Sequence, residues 1–223
     1  MILFFKSASR SRTISVEDNP LDQRESKNNT ANETCTSLTV WRKSLIFSCE
    51  GFTVFGSDGS LVYRVDSYTG RGRRPGQVIL MDGSGKPILT ISRRKKLGLV
   101  DSWLVYEGEV DEYCSNKKSV IEPIFCVRKS LNVLQPNFNV LAYVYRGGGM
   151  SDKRHSYVVE GSYAHRSCKV LDGSRRVVAE IKRKEATVGG VSFGLEVFLL
   201  IVQPGFDSGF AMALVLLLDQ IFS

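Results

Sequence analysis

The sequence predicts a mainly β domain, an antiparallel sheet closed around a buried C-terminal helix. Three observations carry this reading. Short runs that alternate apolar and polar residues fill the chain from Leu38 onward, and Asp-Gly-Ser turns recur between them. The third is the stretch FDSGFAMALVLLLDQIF at residues 206–222, which has helical length and no polar face.

In chain order, residues 1–36 are expected to form a disordered leader. They lack hydrophobic periodicity and are rich in Ser, Asn, Thr and charge, so they cannot bury enough apolar surface to offset the entropy of ordering. Acidic residues such as Glu17 and Asp18 argue against an organelle-targeting peptide, and MILFFKSAS is too short for a secretory signal. Charges within residues 1–34 cancel, which leaves the whole net charge of +7 on the domain expected at 37–223. With 43% hydrophobic and 24% charged residues the chain has an ordinary globular composition.

Strands are expected near 38–42, 52–56, 61–65, 77–81, 87–92, 103–107, 122–129, 139–145, 156–163, 166–171, 177–182 and 192–202. In LVYRV (61–65), Leu61, Tyr63 and Val65 share one face; in RVVAEIKRK (176–184), Val177, Ala179 and Ile181 alternate against Glu180 and Lys182. A period of two repeated at this spacing, with no helical pattern between, points to an antiparallel sandwich or barrel. Asp-Gly-Ser occurs at 58–60, 82–84 and 172–174, where Asp-Gly is expected to supply the positive φ of tight hairpins. GSGK (83–86) lacks the phosphate-loop spacing, and Gly147–Gly149 reads as a loop.

Gln203, Pro204 and Gly205 end the last strand, after which Asp207 or Ser208 can cap a helix running to Phe222. Such a helix spans about 22 Å, short of the roughly 30 Å of a hydrocarbon core, and no Lys or Arg follows to anchor it. No transmembrane span is expected. Because its apolar residues cover every sector, the helix must be buried on all sides. In a β-rich chain that requires a sheet closed around it. Each large side chain so buried contributes roughly 1.5–3 kcal/mol before entropy is subtracted.

The five cysteines are widely spaced, odd in number and form no CxxC, as expected of free thiols in a reducing compartment. Sequons at Asn28 and Asn32 then carry little meaning. A basic domain favours anionic partners. Its cations cluster as Arg71, Arg73 and Arg74 in TGRGRRPG, as Arg93, Arg94, Lys95 and Lys96, as Arg175 and Arg176, and as Lys182, Arg183 and Lys184. A Gly- and Arg-rich turn can present guanidinium and backbone N–H groups to phosphate, whereas most charge runs are simply solvated surface. Lys182 and Lys184 are expected to point outward if Ile181 points inward. Nucleic acid is a poor fit, since no aromatic–basic platform or groove-reading helix is present.

His165 and Cys168 form HxxC, but a structural zinc needs four ligands and the only other histidine is His155. In a strand the two side chains would lie on opposite faces. Neither a metal site nor a Cys–His nucleophile is expected there, and Glu107, Glu109, Asp111 and Glu112 read as turn and strand-edge charges. Asp219, inside an apolar helix, would need partners or a raised pKa if buried, but near the helix end it is expected simply to reach the barrel mouth in a structural role.

SLTVWRKSLIF (37–47), GFTVFGSDGSLVYRVDSY (51–68), VILMDGSGKPILTISRRK (78–95), SWLVYEGE (102–109), VVEGSYAHRSCKVLDGSRRVVAEIKRK (158–184) and FGLEVFLLIVQPGFDSGFAMALVLLLDQI (193–221) together resemble the plant LURP-one-related proteins. The resemblance implies a twelve-stranded barrel around a central C-terminal helix, shared with the Tubby C-terminal domain and phospholipid scramblases. It also implies an association with plant defence, and it carries over no catalytic residues. Tubby domains bind phosphoinositides at a basic surface. Scramblases hold an acidic calcium-binding segment before their helix, where QPGFDSGF here offers only Asp207.

The expectation is therefore a non-enzymatic interaction module without cofactor or metal, binding phosphoinositides or another anionic membrane surface. Its candidate residues are Arg71, Arg73, Arg74, Arg93, Arg94, Lys95, Lys96, Lys182 and Lys184. The alternatives are a protein–protein adaptor and an enzyme with a site at the barrel mouth. A cytoplasmic protein, peripheral at the plasma membrane, is the expected localisation, with the nucleus as alternative.

Overall fold

The computed structural model describes residues 34–46, 49–67, 76–94, 101–110, 121–130, 139–148, 154–185 and 193–222. Twelve strands and one helix follow in order: β1 (Thr36–Trp41), β2 (Glu50–Phe55), β3 (Leu61–Ser67), β4 (Gln77–Asp82), β5 (Pro87–Arg94), β6 (Ser102–Glu107), β7 (Phe125–Lys129), β8 (Val140–Arg146), β9 (Tyr157–Ser162), β10 (Ser167–Asp172), β11 (Val177–Arg183), β12 (Val197–Val202) and α1 (Ser208–Phe222). The leader expected at residues 1–36 lies outside the described residues as far as residue 33.

Each strand pairs antiparallel with its chain neighbours, and β1 also pairs with β12, so the sheet is a closed barrel. Val40, for example, lies opposite Val54 of β2 and Phe198 of β12. Closure leaves no unpaired strand edge for another chain to extend. Alternation fixes which residues face inward: Val140, Ala142 and Val144 in β8, and Ala179 and Ile181 in β11, are all buried. Within the core α1 is buried at every position from Gly209 to Leu218. The all-round apolarity of the helix is thus satisfied by a wall of strands on every side.

Asp207 is the helix cap: its Oδ1 accepts the Phe210 N–H at 2.6 Å. Ser208 instead bonds the Tyr63 hydroxyl at 2.7 Å, fastening the helix start to β3. A stack of rings, Phe125 on Phe210 at 4.0 Å between centroids, packs the same end.

The three Asp-Gly-Ser hairpins correct one expectation. All share one turn, in which the first residue's N–H bonds the carbonyl four residues on: Gly56 to Ser60, Asp82 to Lys86, and Asp172 to Arg176. The left-handed residue is the fourth, at Gly59, Gly85 and Arg175. The Asp-Gly glycine therefore supplies the positive φ only in the first hairpin, where the motif sits two positions later. In the other two the aspartate opens the turn, and its Oδ1 accepts the N–H groups of Ser84 and Lys86, or of Ser174 and Arg176. A β-bulge in an adjoining strand accompanies each turn.

Because the strands alternate in direction, the barrel has two distinct ends. At the entry end α1 begins, beside the three hairpins. At the exit end α1 finishes, together with the C-terminal ends of β1, β5, β7 and β11.

Candidate functional site

The exit end is held by a polar network around Asp219. The Asp219 carboxylate accepts the Tyr163 hydroxyl at 3.1 Å and pairs with Arg42 Nε at 3.0 Å. Arg42 follows β1, and its backbone N–H bonds the Glu196 carbonyl just before β12. Burial opposes the charge of Arg42, but the adjacent Asp219 and Glu196 carboxylates outweigh it and raise its pKa. Burial, reinforced by the Asp219 charge, pushes the Tyr163 phenol well above its ordinary value, against the pull of Arg166. At neutral pH it stays a hydrogen-bond donor.

Arg166 underlies this network. It is buried, adopts a φ of 51°, and sends Nε to the Leu195 carbonyl at 2.9 Å. Its guanidinium lies over the rings of Tyr163 and Phe198, 4.2 and 4.6 Å from their centroids. The acid that looked costly in the sequence is thus fully engaged. Tyr163, Asp219, Arg42 and Arg166 satisfy one another and tie the β1–β2, β9–β10 and β11–β12 corners to the end of the helix. These contacts hold the three corners and the end of the helix together.

His165 and Cys168 do not meet. His165 lies exposed in the turn between β9 and β10, with Nδ1 2.8 Å from Ser162 Oγ, whereas Cys168 faces the core. His165 falls between the strands expected at 156–163 and 166–171, where residues 163–166 form the turn. Burial pushes the Cys168 thiol up to about 12, far from a reactive thiolate. Among the described residues no three His, Cys, Asp or Glu side chains converge as metal ligands.

Around the network, the exit end is ringed by cations. Arg93 and Arg94 end β5, Arg128 and Lys129 end β7, and Lys182 and Arg183 end β11. The entry end carries the hairpin aspartates Asp58, Asp82 and Asp172, with Glu107 and Glu109 after β6. Among the described residues both ends are mixed, with Asp101, Glu185, Glu196 and Asp219 also at the exit end and Lys86, Arg146, Arg175 and Arg176 also at the entry end, and cations outnumber acids at the exit end.

The sequence model of the LURP-one-related family matches residues 36–219, nearly the whole barrel. The chain belongs to the LURP-one-related family. Its similarity to Protein LURP-one-related 17 of Arabidopsis thaliana is 48% identity over 96% of this chain and 97% of that protein. Protein LURP-one-related 8 of the same plant is 46% identical, covering 83% of this chain and 86% of its own length. A crystal structure of an Arabidopsis thaliana protein, 24% identical, superposes with a TM-score of 0.58 over 86% of this chain and 93% of the other, which supports the shared fold.

In this LURP-one-related barrel the expected cationic residues separate into three groups. Arg71, Arg73, Arg74, Lys95 and Lys96 lie outside the described residues. Arg93, Arg94, Lys182 and Lys184 come to the exit end. Arg175 and Arg176 go to the entry end, where they pair with Glu160 and Asp172. Within the second group, Arg93 pairs with Asp101 and lies over Trp103, and Lys182 bonds Glu180 at 2.5 Å. Lys182 points outward as expected. Lys184 does so only in part, half-buried against Thr39 and Phe193. Arg94 and Arg183 are exposed and have no ion-pair partner among the described residues. Sequence reasoning missed Lys43, Arg128 and Lys129. The cue was a basic residue directly after an alternating apolar run, as in Val127-Arg128-Lys129. Among the described residues no helix is long and apolar enough to cross a membrane.

Proposed function

We propose that this chain is a non-enzymatic interaction module whose exit end binds an anionic, phosphoinositide-bearing membrane surface. Its setting, by family resemblance, is plant defence or stress response. One observation carries the reading: exposed cations from β5, β7 and β11, far apart in sequence, gather at one end while the aspartate hairpins occupy the other. An excess of cations at one end attracts an anionic surface. Each basic residue held near such a surface contributes on the order of 1 kcal/mol. Among the described residues of this mouth, Tyr163, Asp219 and Arg42 are engaged with one another, which supports the binding reading.

Co-sedimentation with phosphatidylcholine vesicles, with and without phosphatidylinositol bisphosphate, tests the reading across a salt series. Binding is expected only with the anionic lipid and is expected to fall as salt screens it. The triple variant Arg94→Glu, Lys182→Glu, Arg183→Glu should weaken binding by about a hundredfold or more. No binding at low salt, or an unaltered affinity in the variant, overturns it.

A further inference from the structure

Six large hydrophobic residues are exposed among the described ones: Trp41, Leu45, Ile121, Phe193, Leu195 and Phe222. Singly, exposed apolar side chains need no explanation. Their distribution does. Ile121 lies before β7, at the entry end, and the other five all lie at the exit end. Trp41 closes β1 and Leu45 follows it; Phe193 and Leu195 precede β12, which pairs with β1 through Trp41 and Val197. Lys184 ties the same sector together by bonding Thr39 at 3.2 Å. Phe222 ends the helix at the same mouth.

Each of the three exposed aromatic rings carries a lysine. Lys43 Nζ lies 5.4 Å from the Trp41 ring centroid, Lys184 Nζ 5.4 Å from that of Phe193, and Lys129 Nζ 5.1 Å from that of Phe222. Lysine is depleted from the cores of protein–protein interfaces, where its ammonium would lose water without compensation. Aromatic rings beside lysines are what the interfacial zone of a bilayer favours. The ring sits at the boundary between headgroups and acyl chains, and the ammonium reaches the phosphates while its stem stays among apolar groups.

We infer that this rim inserts into the interfacial zone of an anionic bilayer, with Trp41, Leu45, Phe193, Leu195 and Phe222 entering it and Lys43, Lys129 and Lys184 contacting lipid phosphate. The inference rests on the proposed membrane-binding reading and adds to it a second, apolar component that salt does not screen. It makes the ligand a lipid surface and not a free phosphorylated headgroup.

The two tryptophans make the test direct, because Trp41 is 38% exposed and Trp103 only 2%. Vesicles of phosphatidylcholine, phosphatidylserine and phosphatidylinositol bisphosphate should shift the emission to the blue, and bromine on the acyl chains should quench it. Trp41→Phe should abolish the shift without abolishing sedimentation. Phe193→Ser with Leu195→Ser should lower vesicle partitioning by about tenfold or more, while affinity for soluble inositol hexakisphosphate stays unchanged.

The outcomes separate the two claims. Sedimentation without a Trp41 shift, or equal partitioning of the serine variant, overturns insertion and leaves anion binding standing. Absence of sedimentation at any salt overturns both. A lipid-free dimer that the serine variant disperses would assign the rim to a second copy of the chain and likewise overturn insertion.

Discussion

Replacing Leu216 with aspartate should unfold the domain. Leu216 is 2% exposed, in the middle of the run from Gly209 to Leu218 where every residue is buried. Losing a leucine from a closed core costs about 2–5 kcal/mol in contacts and cavity. The introduced carboxyl, even neutral, adds about 2–7 kcal/mol if it finds no hydrogen-bond partner. The sum, roughly 4–12 kcal/mol, is comparable to the whole stability of a typical domain at about 5–15 kcal/mol. Circular dichroism should therefore show no cooperative thermal transition for Leu216→Asp, or the protein should be recovered only as aggregate. Leu216→Ala provides the graded companion. At about 2–4 °C per kcal/mol for a domain of this size, its midpoint should fall by roughly 4–20 °C. An aspartate variant that melts cooperatively at the wild-type midpoint would show that the barrel does not depend on a helix inside it.

Further expectations concern the turns. Gly161 has a φ of 115°, and a β-carbon there would run into the Ser167 carbonyl. Gly161→Ala should lower the urea midpoint, with backbone strain alone costing about 1–3 kcal/mol; an unchanged midpoint refutes the geometry. Hydrogen bonds hold Asp58 (from Ser60), Asp82 (from Ser84) and Asp172 (from Arg176) below the ordinary aspartate value of 3.8. A depressed folded value stabilises above the unfolded one and loses that stabilisation as pH falls through the folded one. Unfolding midpoints should thus decline with acid below about pH 4, and Asp82→Asn with Asp172→Asn should flatten the decline; an identical pH profile in the double variant refutes it.

The helix was legible because its apolarity admits one environment: the sequence places it at about Ser208–Phe222, and the structure has it there. Strands were legible wherever one face is buried, as in Val177, Ala179 and Ile181. Strand ends were not. The run expected at 192–202 begins as a strand only at Val197, because Gly194 takes a φ of 67° in a preceding turn. Phe193 and Leu195 then become exposed rim instead of core. The Asp219 network escaped sequence reading for a different reason. Its members Arg42, Tyr163 and Asp219 lie far apart in the chain, and only closure of the barrel brings them together. The cationic ring was half legible: the charges could be seen, but their common end depends on the up-and-down strand order.

Hydrogen–deuterium exchange on vesicle-bound protein tests most directly which end meets the membrane. Binding to phosphatidylinositol bisphosphate vesicles should protect the amides of residues 41–45 and 193–196 and of the last turn of α1. The hairpin tips at 57–59, 83–85 and 173–175 should exchange as in free protein. Protection of the hairpin tips, or none at the exit end while the protein stays bound, would contradict the account.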